Sequence, residues 1–126
     1  MLKKIVAILY RRFIVAGINS SKGLKDAFLK EEAFRVQVLL GLLVIPLAFL
    51  VATGYQQLLL LLMVYFFVMI VELLNTCIEI VVDRIGPEFH ELSGRAKDIG
   101  SAAVALSMLV FVLVWGVMIG INLDLI

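Results

Sequence analysis

The sequence predicts an all-α membrane protein with three transmembrane helices and an N-terminal amphipathic surface helix. Of its 126 residues, 63% are hydrophobic, and the mean hydropathy is +1.14, which exceeds what a soluble domain of this size needs. Apart from Asp124, all Lys, Arg, Asp and Glu lie in residues 1–35 and 72–98. A membrane-spanning helix needs roughly 20 apolar residues. The uncharged stretches 36–71 and 99–123 therefore hold two closely spaced spans and one further span, in a single integral-membrane domain of residues 1–126.

Residues 1–35 alternate basic and apolar positions, a pattern typical of a helix lying at the cytoplasmic membrane surface. We predict that this helix has two pieces, because Gly17-Ile-Asn-Ser-Ser21 combines a helix-weakening Gly with capping residues. The segment is either a simple anchor or a lid over a site at the membrane surface.

The three predicted spans cover about residues 36–51, 58–85 and 99–121. Pro46 lies inside the first span, where membrane helices tolerate proline, and it predicts a kink. Gly86-Pro87 ends the second span, since proline cannot continue the helical hydrogen bonds. A charged loop, residues 86–98, then leads into the third span.

The basic residues predict the orientation of the chain in the membrane. All eleven lie in the N-terminal segment or in residues 84–97, and basic residues mark the cytoplasmic side. The N-terminus and the charged loop are thus predicted to be cytoplasmic. A net charge of +1 gives no reason to expect a nucleic-acid partner.

A polar stripe marks the end of the second span. Five side chains recur at i, i+3, i+4, i+7 and i+11 and so share one helix face: Glu72, Asn75, Thr76, Glu79 and Asp83. Carboxylates in a membrane span are costly and usually functional. The predicted topology places the stripe at the same membrane face as the charged residues Glu31, Lys97 and Asp98.

Carboxylates beside a lysine at a water–lipid boundary suit a hard cation such as Mg²⁺, which often accompanies nucleotide phosphates. A carboxylate there could also accept a proton from an attacking hydroxyl. The chain has no soluble nucleotide-binding motif of the P-loop or G-x-G-x-x-G type, and its lone Cys77 and His90 do not form a zinc pattern. The residues alone leave enzyme and transporter open. A proton relay through the membrane is disfavoured, because no charge continues through residues 58–71.

Two stretches of the sequence resemble the prokaryotic integral-membrane diacylglycerol kinases. They are Glu72-Leu-Leu-Asn-Thr-Cys-Ile-Glu-Ile-Val-Val-Asp-Arg-Ile-Gly86 and Glu88-Phe-His-Glu-Leu-Ser-Gly-Arg-Ala-Lys-Asp-Ile-Gly-Ser-Ala-Ala-Val104. The resemblance implies a homotrimeric bundle with active sites shared between protomers, in the bacterial inner membrane with its site on the cytoplasmic side. The implied activity is transfer of the γ-phosphate of MgATP to the hydroxyl of diacylglycerol, giving phosphatidate.

The resemblance also implies residue roles. Glu72 would be the general base and Asn75 would position nearby groups, while Glu31 and Glu79 would bind the metal. Asp83 would contact these site residues. The implied nucleotide contacts are Arg12, Asn19, Glu31, Glu79, Glu88, Phe89, His90, Lys97 and Asp98, and the implied lipid contacts are Arg12, Ala33, Phe34, Arg35 and Glu72.

Two other functions stay open at this point. A related branch of the same family phosphorylates undecaprenol, although the intact His90-Glu-Leu-Ser-Gly-Arg-Ala-Lys-Asp98 run is more similar to the diacylglycerol branch. Outside the family, a small oligomeric membrane protein that binds cations without catalysis would carry a similar charge pattern.

Overall fold

The computed structural model describes residues 2–125 and consists over that range of four α-helices joined by short connections. Its helices are α1 (Leu2–Lys30), α2 (Glu32–Val51), α3 (Tyr55–Ile85) and α4 (Glu91–Asn122). The last three are each long and apolar enough to cross a membrane. The predicted all-α fold with three membrane-spanning helices is therefore confirmed. The surface position of α1 and the trimer stay predictions.

The helices extend beyond the predicted spans. Helix α2 begins at Glu32 and continues through Pro46, and α4 begins at Glu91, so the predicted charged loop is a loop only as far as His90. Charged residues end the hydrophobic segment but not the helix, because Glu, Lys and Arg are good helix formers. The end of α3 lies where it was predicted, at Gly86, whose φ of 153° few other residues adopt.

The predicted break in the N-terminal helix is wrong, because α1 runs without interruption from Leu2 to Lys30. The Ser21 hydroxyl donates to the carbonyl of Gly17, 2.9 Å away and one turn earlier, instead of capping a new helix. A glycine in a helix costs only about 1 kcal/mol relative to alanine, which is too little to interrupt a helix of 29 residues.

The junction between α1 and α2 is a single extended residue, Glu31, with φ −100° and ψ 114°. Arg35 holds the two helices together across it. Its guanidinium donates to the carbonyls of Phe28 (3.0 Å) and Leu29 (2.9 Å). These carbonyls lie in the last turn of α1 and lack partners within the helix. Arg35 therefore acts as a C-terminal cap for α1.

The hydrophobic core lies between α2, α3 and α4, the three helices that are long and apolar enough to cross a membrane. Ala48 of α2, Leu61 and Val64 of α3, and Trp115 of α4 are all buried there, and the Phe111 ring packs on Trp115 at 5.4 Å between centroids. Small and branched side chains at these positions let the helices approach closely. Helix α3 thus lies between α2 and α4, and both pack against it.

A polar cluster joins the helices at the end of the bundle where α3 begins. Asn122 donates to the carbonyl of Val51 (2.7 Å) and exchanges hydrogen bonds with the Gln57 amide (3.1 and 3.3 Å). Gln57 also accepts from the backbone of Thr53 at 3.1 Å. Unpaired polar groups are costly near lipid. This cluster therefore fixes α2, α3 and α4 together at the end of the bundle remote from the carboxylates.

Most of the large apolar side chains on α2 and α4 face outward. Leu42, Leu43 and Leu50 are 71%, 70% and 82% exposed, far more than in the core of a soluble protein. Such surfaces are stable against lipid chains or against another membrane helix. The single chain therefore has the surface of a membrane protein.

Candidate functional site

The centre of the candidate site is Glu72, which is only 6% exposed although it is a carboxylate. The Gln37 amide of α2 donates to Glu72 Oε2 at 3.1 Å. A buried carboxylate is strongly disfavoured unless hydrogen bonds compensate for the lost water. The interhelical bond from Gln37 provides part of that compensation and fixes the position of the carboxylate.

Asn75 lies one turn after Glu72 and is also buried. Its Nδ2 donates to Glu79 Oε1 at 2.9 Å, so the two side chains form a pair along α3. Asn75 Oδ1 lies against Gly100 of α4, so closely that a Cβ at Gly100 would overlap it. Among the described residues this oxygen has no hydrogen-bond partner. The absence of a side chain at Gly100 therefore lets α4 approach and hold Asn75 in place.

A groove of about 460 Å³ separates α3 from the C-terminal part of α1. Glu31 lines the α1 side and Thr76 lines the α3 side. Thr76 is adjacent to Glu79 on the helix surface, at i and i+3. The remaining lining residues are Ser20, Gly23, Leu24, Asp26, Ala27, Leu73, Cys77 and Ile80. The structure thus places Glu31 in one groove with Thr76, which the sequence left without a role, while Glu79 lies one turn after Thr76 on α3 and outside that lining.

The donor set fits a metal ion that arrives with a nucleotide. Within residues 2–125, no group of three or more His, Cys, Asp or Glu side chains is arranged to hold a metal ion by itself. Mg²⁺ usually takes only one or two carboxylates from a protein and completes its shell with water and phosphate oxygens. Glu31 and Glu79 have this chemistry.

Lys97 lies at the far end of the stripe, where its Nζ contacts Asp83 Oδ1 at 2.6 Å. Asp83 thus contacts one of the predicted nucleotide-binding residues. Both side chains are substantially exposed, 40% for Lys97 and 67% for Asp83. Exposed ion pairs contribute at most about 1 kcal/mol. A phosphate group can therefore compete with Asp83 for the lysine.

The loop between α3 and α4 carries the predicted contacts Glu88, Phe89 and His90, all exposed, around a pocket of about 400 Å³. Phe89 is 94% exposed. His90 is the N-cap of α4, and its Nδ1 accepts from the backbone N–H of Leu92 at 3.2 Å. This bond requires Nδ1 to be unprotonated, so the neutral ring carries its proton on Nε2 and presents that N–H outward.

Other predicted site residues do not join the carboxylates within one chain. Arg12 and Asn19 lie on an exposed flank of α1 that lines a depression of about 640 Å³. Arg12 is fifteen residues before the buried Ala27, about 22 Å along a helix with a rise of 1.5 Å per residue. Asp98 is exposed near the start of α4.

The three predicted lipid contacts at the start of α2 have different environments. Ala33 is exposed, whereas Phe34 is buried at 2% exposure and Arg35 binds the end of α1. The side chains of Phe34 and Arg35 are thus engaged within the chain. Their contact with lipid stays a prediction.

Sequence reasoning missed three residues that shape the site: Gln37, Tyr65 and Gly100. The signal for Gln37 was present, because it is the single hydrogen-bonding side chain in residues 36–51, and polar residues in membrane helices are usually functional. Tyr65 donates to the carbonyl of Gln37 at 2.9 Å. The same signal was present for Tyr65, the single hydrogen-bonding side chain in residues 58–71, whereas nothing in the sequence distinguishes Gly100 from a residue of ordinary helix packing.

Comparisons with known proteins identify the family. The family model for prokaryotic diacylglycerol kinase matches residues 18–119, which include the stripe, the loop, all of α2 and α3, and α4 as far as residue 119. A diacylglycerol kinase of Haemophilus influenzae is 48% identical over 103 residues, which cover 79% of this chain and 87% of that protein. The diacylglycerol kinase of Escherichia coli K12 is 46% identical over 110 residues (87% and 90%), and that of Helicobacter pylori 26695 is 40% identical over 107 residues (85% and 84%). The chain therefore belongs to the prokaryotic diacylglycerol kinase family.

Proposed function

We propose that this chain is a membrane-bound diacylglycerol kinase that uses MgATP and forms phosphatidate. The observation that carries the proposal is the buried, hydrogen-bonded Glu72, which follows the uncharged run 58–71 within α3, in a family whose named relatives are diacylglycerol kinases. Neither undecaprenol kinase activity nor a non-catalytic cation-binding function is favoured by these relatives. The chemistry is the transfer of a phosphoryl group to an alcohol.

Glu72 is the general base in this proposal. The hydroxyl oxygen of diacylglycerol bonds to the γ-phosphorus of ATP while the bond from that phosphorus to the β–γ bridging oxygen breaks. The hydroxyl proton passes to the Glu72 carboxylate, and ADP leaves with the bridging oxygen. A base placed where the uncharged run of α3 ends would lie where the lipid hydroxyl meets water while the acyl chains of the lipid stay in the bilayer.

Glu31 and Glu79 would hold the magnesium ion that accompanies ATP. Bound there, the ion would supply charge neutralisation for the phosphates. Asn75 orients Glu79 through the 2.9 Å hydrogen bond. Lys97 exchanges its contact with Asp83 for a phosphate oxygen. Further nucleotide contacts come from Asp98 and from the loop residues Glu88, Phe89 and His90.

The active form is proposed to be a homotrimer with shared active sites, at the cytoplasmic face of a bacterial inner membrane. Two observations support this. Arg12 and Asn19 lie on the flank of α1, away from the carboxylates of their own chain, and the outward faces of α2 and α4 are apolar. Neighbouring protomers would supply what a single chain lacks. The orientation rests on the basic residues of the N-terminal segment and the charged loop.

Lipid specificity and the base are tested in one assay. In mixed micelles with labelled ATP, the protein is expected to label diacylglycerol much faster than undecaprenol. Glu72→Gln keeps the shape and the hydrogen-bonding capacity of the side chain but removes the base, so the rate should fall about 10²- to 10⁴-fold. Labelling of neither lipid would refute the kinase function, and a near-wild-type rate for Glu72→Gln would refute the assignment of the base alone.

Glu79→Gln tests the metal ligand. The substitution keeps an oxygen that can accept from Asn75 but removes the charge that attracts Mg²⁺. The Mg²⁺ concentration for half-maximal activity should rise about tenfold. Glu91→Gln, which changes an exposed carboxylate in the first turn of α4, is the matched control and should leave the titration unchanged. An unaltered titration for Glu79→Gln would contradict the ligand role.

Gly100→Ala tests the contact between α4 and Asn75. The added Cβ would overlap Asn75 Oδ1, and displacement of Asn75 breaks its bond to Glu79. We expect kcat to fall about tenfold, because misplacement of a catalytic group is costly. Gly116→Ala, on the same helix with no atom within 4 Å of the added Cβ, should leave kcat unchanged. Equal activities of the two variants would show that the contact has no role in turnover.

The trimer is tested by multi-angle light scattering of the purified protein in detergent. After subtraction of bound detergent, the expected protein mass is three times the 14.0 kDa of one chain. A fully active species with the mass of one chain would contradict the shared-site arrangement.

A further inference from the structure

Glu72 is held in position by Gln37, a residue of helix α2 that has no role in the function proposed above. Gln37 of α2 donates to Glu72 Oε2 at 3.1 Å, and both side chains are more than nine-tenths buried. We propose that Gln37 is a positioning residue for the phosphoryl transfer, which fixes the Glu72 carboxylate for proton removal from the lipid hydroxyl. This inference rests on the proposed function of Glu72 as the base.

The orientation of the Gln37 amide supports the role. A carboxylate only accepts hydrogen bonds, so the amide must direct Nε2 toward Glu72. Gln37 Oε1 is then left buried and without a hydrogen-bond partner among residues 2–125. A buried, unpaired acceptor costs folding free energy. An apolar side chain of the same size would avoid that cost but would leave the buried Glu72 carboxylate without this donor. The retained amide is therefore explained by its contact with Glu72.

The backbone of Gln37 is fixed as well. The Tyr65 hydroxyl of α3 donates to the Gln37 carbonyl at 2.9 Å, in the buried part of the interface between α2 and α3. The hydroxyl lies over Gly41, one turn after Gln37, so closely that a Cβ at Gly41 would overlap it. Gly41 admits Tyr65, Tyr65 fixes the backbone of Gln37, and Gln37 fixes Glu72.

This arrangement assigns different tasks to the two carboxylate oxygens of Glu72. Oε2 is occupied by the amide of Gln37. Oε1 is the oxygen that accepts the proton of the lipid hydroxyl. Without Gln37, the carboxylate is free to rotate about its last bond, and the fraction of time it spends in a reactive geometry falls. The effect belongs to the chemical step and not to substrate binding.

The test is Gln37→Met, which keeps the length and volume of the side chain and removes both amide groups. We expect kcat for diacylglycerol phosphorylation to fall about tenfold, the size typical of a lost hydrogen bond to a charged group. The KM values for MgATP and diacylglycerol should stay within about twofold of wild type. The midpoint of thermal unfolding, followed by circular dichroism in detergent, should stay close to that of wild type, because the cost of leaving Glu72 without its donor is offset by removal of the unpaired acceptor of Gln37.

Gln57→Met is the matched control. Gln57 is the other glutamine that joins two membrane helices through its side chain, but it does so at the remote end of the bundle. Its loss should lower the unfolding midpoint and leave kcat unchanged, the opposite of the result expected for Gln37→Met. A Gln37→Met protein that loses stability and kcat together would show a merely structural role and would overturn the proposal.

A second series tests the same contact without changing Gln37. Gly41→Ala should lower kcat, because its Cβ displaces the Tyr65 hydroxyl and with it the backbone of Gln37. Tyr65→Phe alone should also lower kcat, because it removes the hydrogen bond to the Gln37 carbonyl. The double variant should be no less active than the less active single variant, because both changes act through the same contact, whereas two unrelated defects would add. Fully additive defects in the double variant would overturn the part assigned to Tyr65 and Gly41.

The outcomes separate this inference from the function on which it rests. If the wild-type protein phosphorylates no lipid, the proposed function fails, and the positioning role fails with it. If wild type and Gln57→Met are active and Gln37→Met retains the wild-type kcat, only the positioning role is wrong. If Gln37→Met loses kcat alone, both stand.

Discussion

The structure depends on one constraint: a carboxylate buried inside an apolar helix that is long enough to cross a membrane must be hydrogen-bonded and held in place. Glu72 meets this constraint through Gln37, a residue of the preceding helix, and so the relative position of α2 and α3 becomes part of the site. One turn further along α3, Asn75 donates a hydrogen bond to Glu79 and packs against Gly100 of α4. Three helices are thus fixed around a few polar atoms, because unpaired polar groups are far more costly here than in water.

The two ends of the bundle use hydrogen bonds in different ways. At the end where α3 begins, the side chains of Gln57 and Asn122 bind each other, and Asn122 also binds the carbonyl of Val51. At the carboxylate end, Gln37 and Asn75 each leave one buried amide oxygen unpaired within the described part of the chain. Buried polar groups are normally satisfied, and exceptions require an explanation. Both amides direct their NH2 groups to carboxylates of the proposed site, Gln37 to Glu72 and Asn75 to Glu79. Their oxygens therefore point away from these carboxylates and are left without partners. The third unpaired atom, Trp115 Nε1, lies in the apolar core, and nothing around it indicates a function.

Helix α1 differs from the other three helices. From Lys3 to Asp26 its residues are exposed in the single chain, and its attachment is confined to its last turns, where Ala27 is buried and Arg35 caps the helix. A helix with so little support from its own chain gains stability from a surface outside it, either lipid or a neighbouring protomer. Either role expected for α1, an anchor or a lid, would then depend on the membrane and the assembly as well as on the chain.

The sequence alone determined the fold class, the number of membrane-spanning helices and the face of α3 that carries the carboxylates, since hydrophobic length and helical periodicity are local properties. It also identified the family through the run from Glu72 to Val104. It did not determine where charged segments remain helical. The prediction made from it therefore divided α1 at Gly17 and began α4 too late. Only the tertiary structure showed that Gln37 binds Glu72, that Tyr65 fits over Gly41, and that Gly100 receives Asn75. These contacts join residues on different helices, and their distances depend on how the helices pack, which no pattern within one helix records.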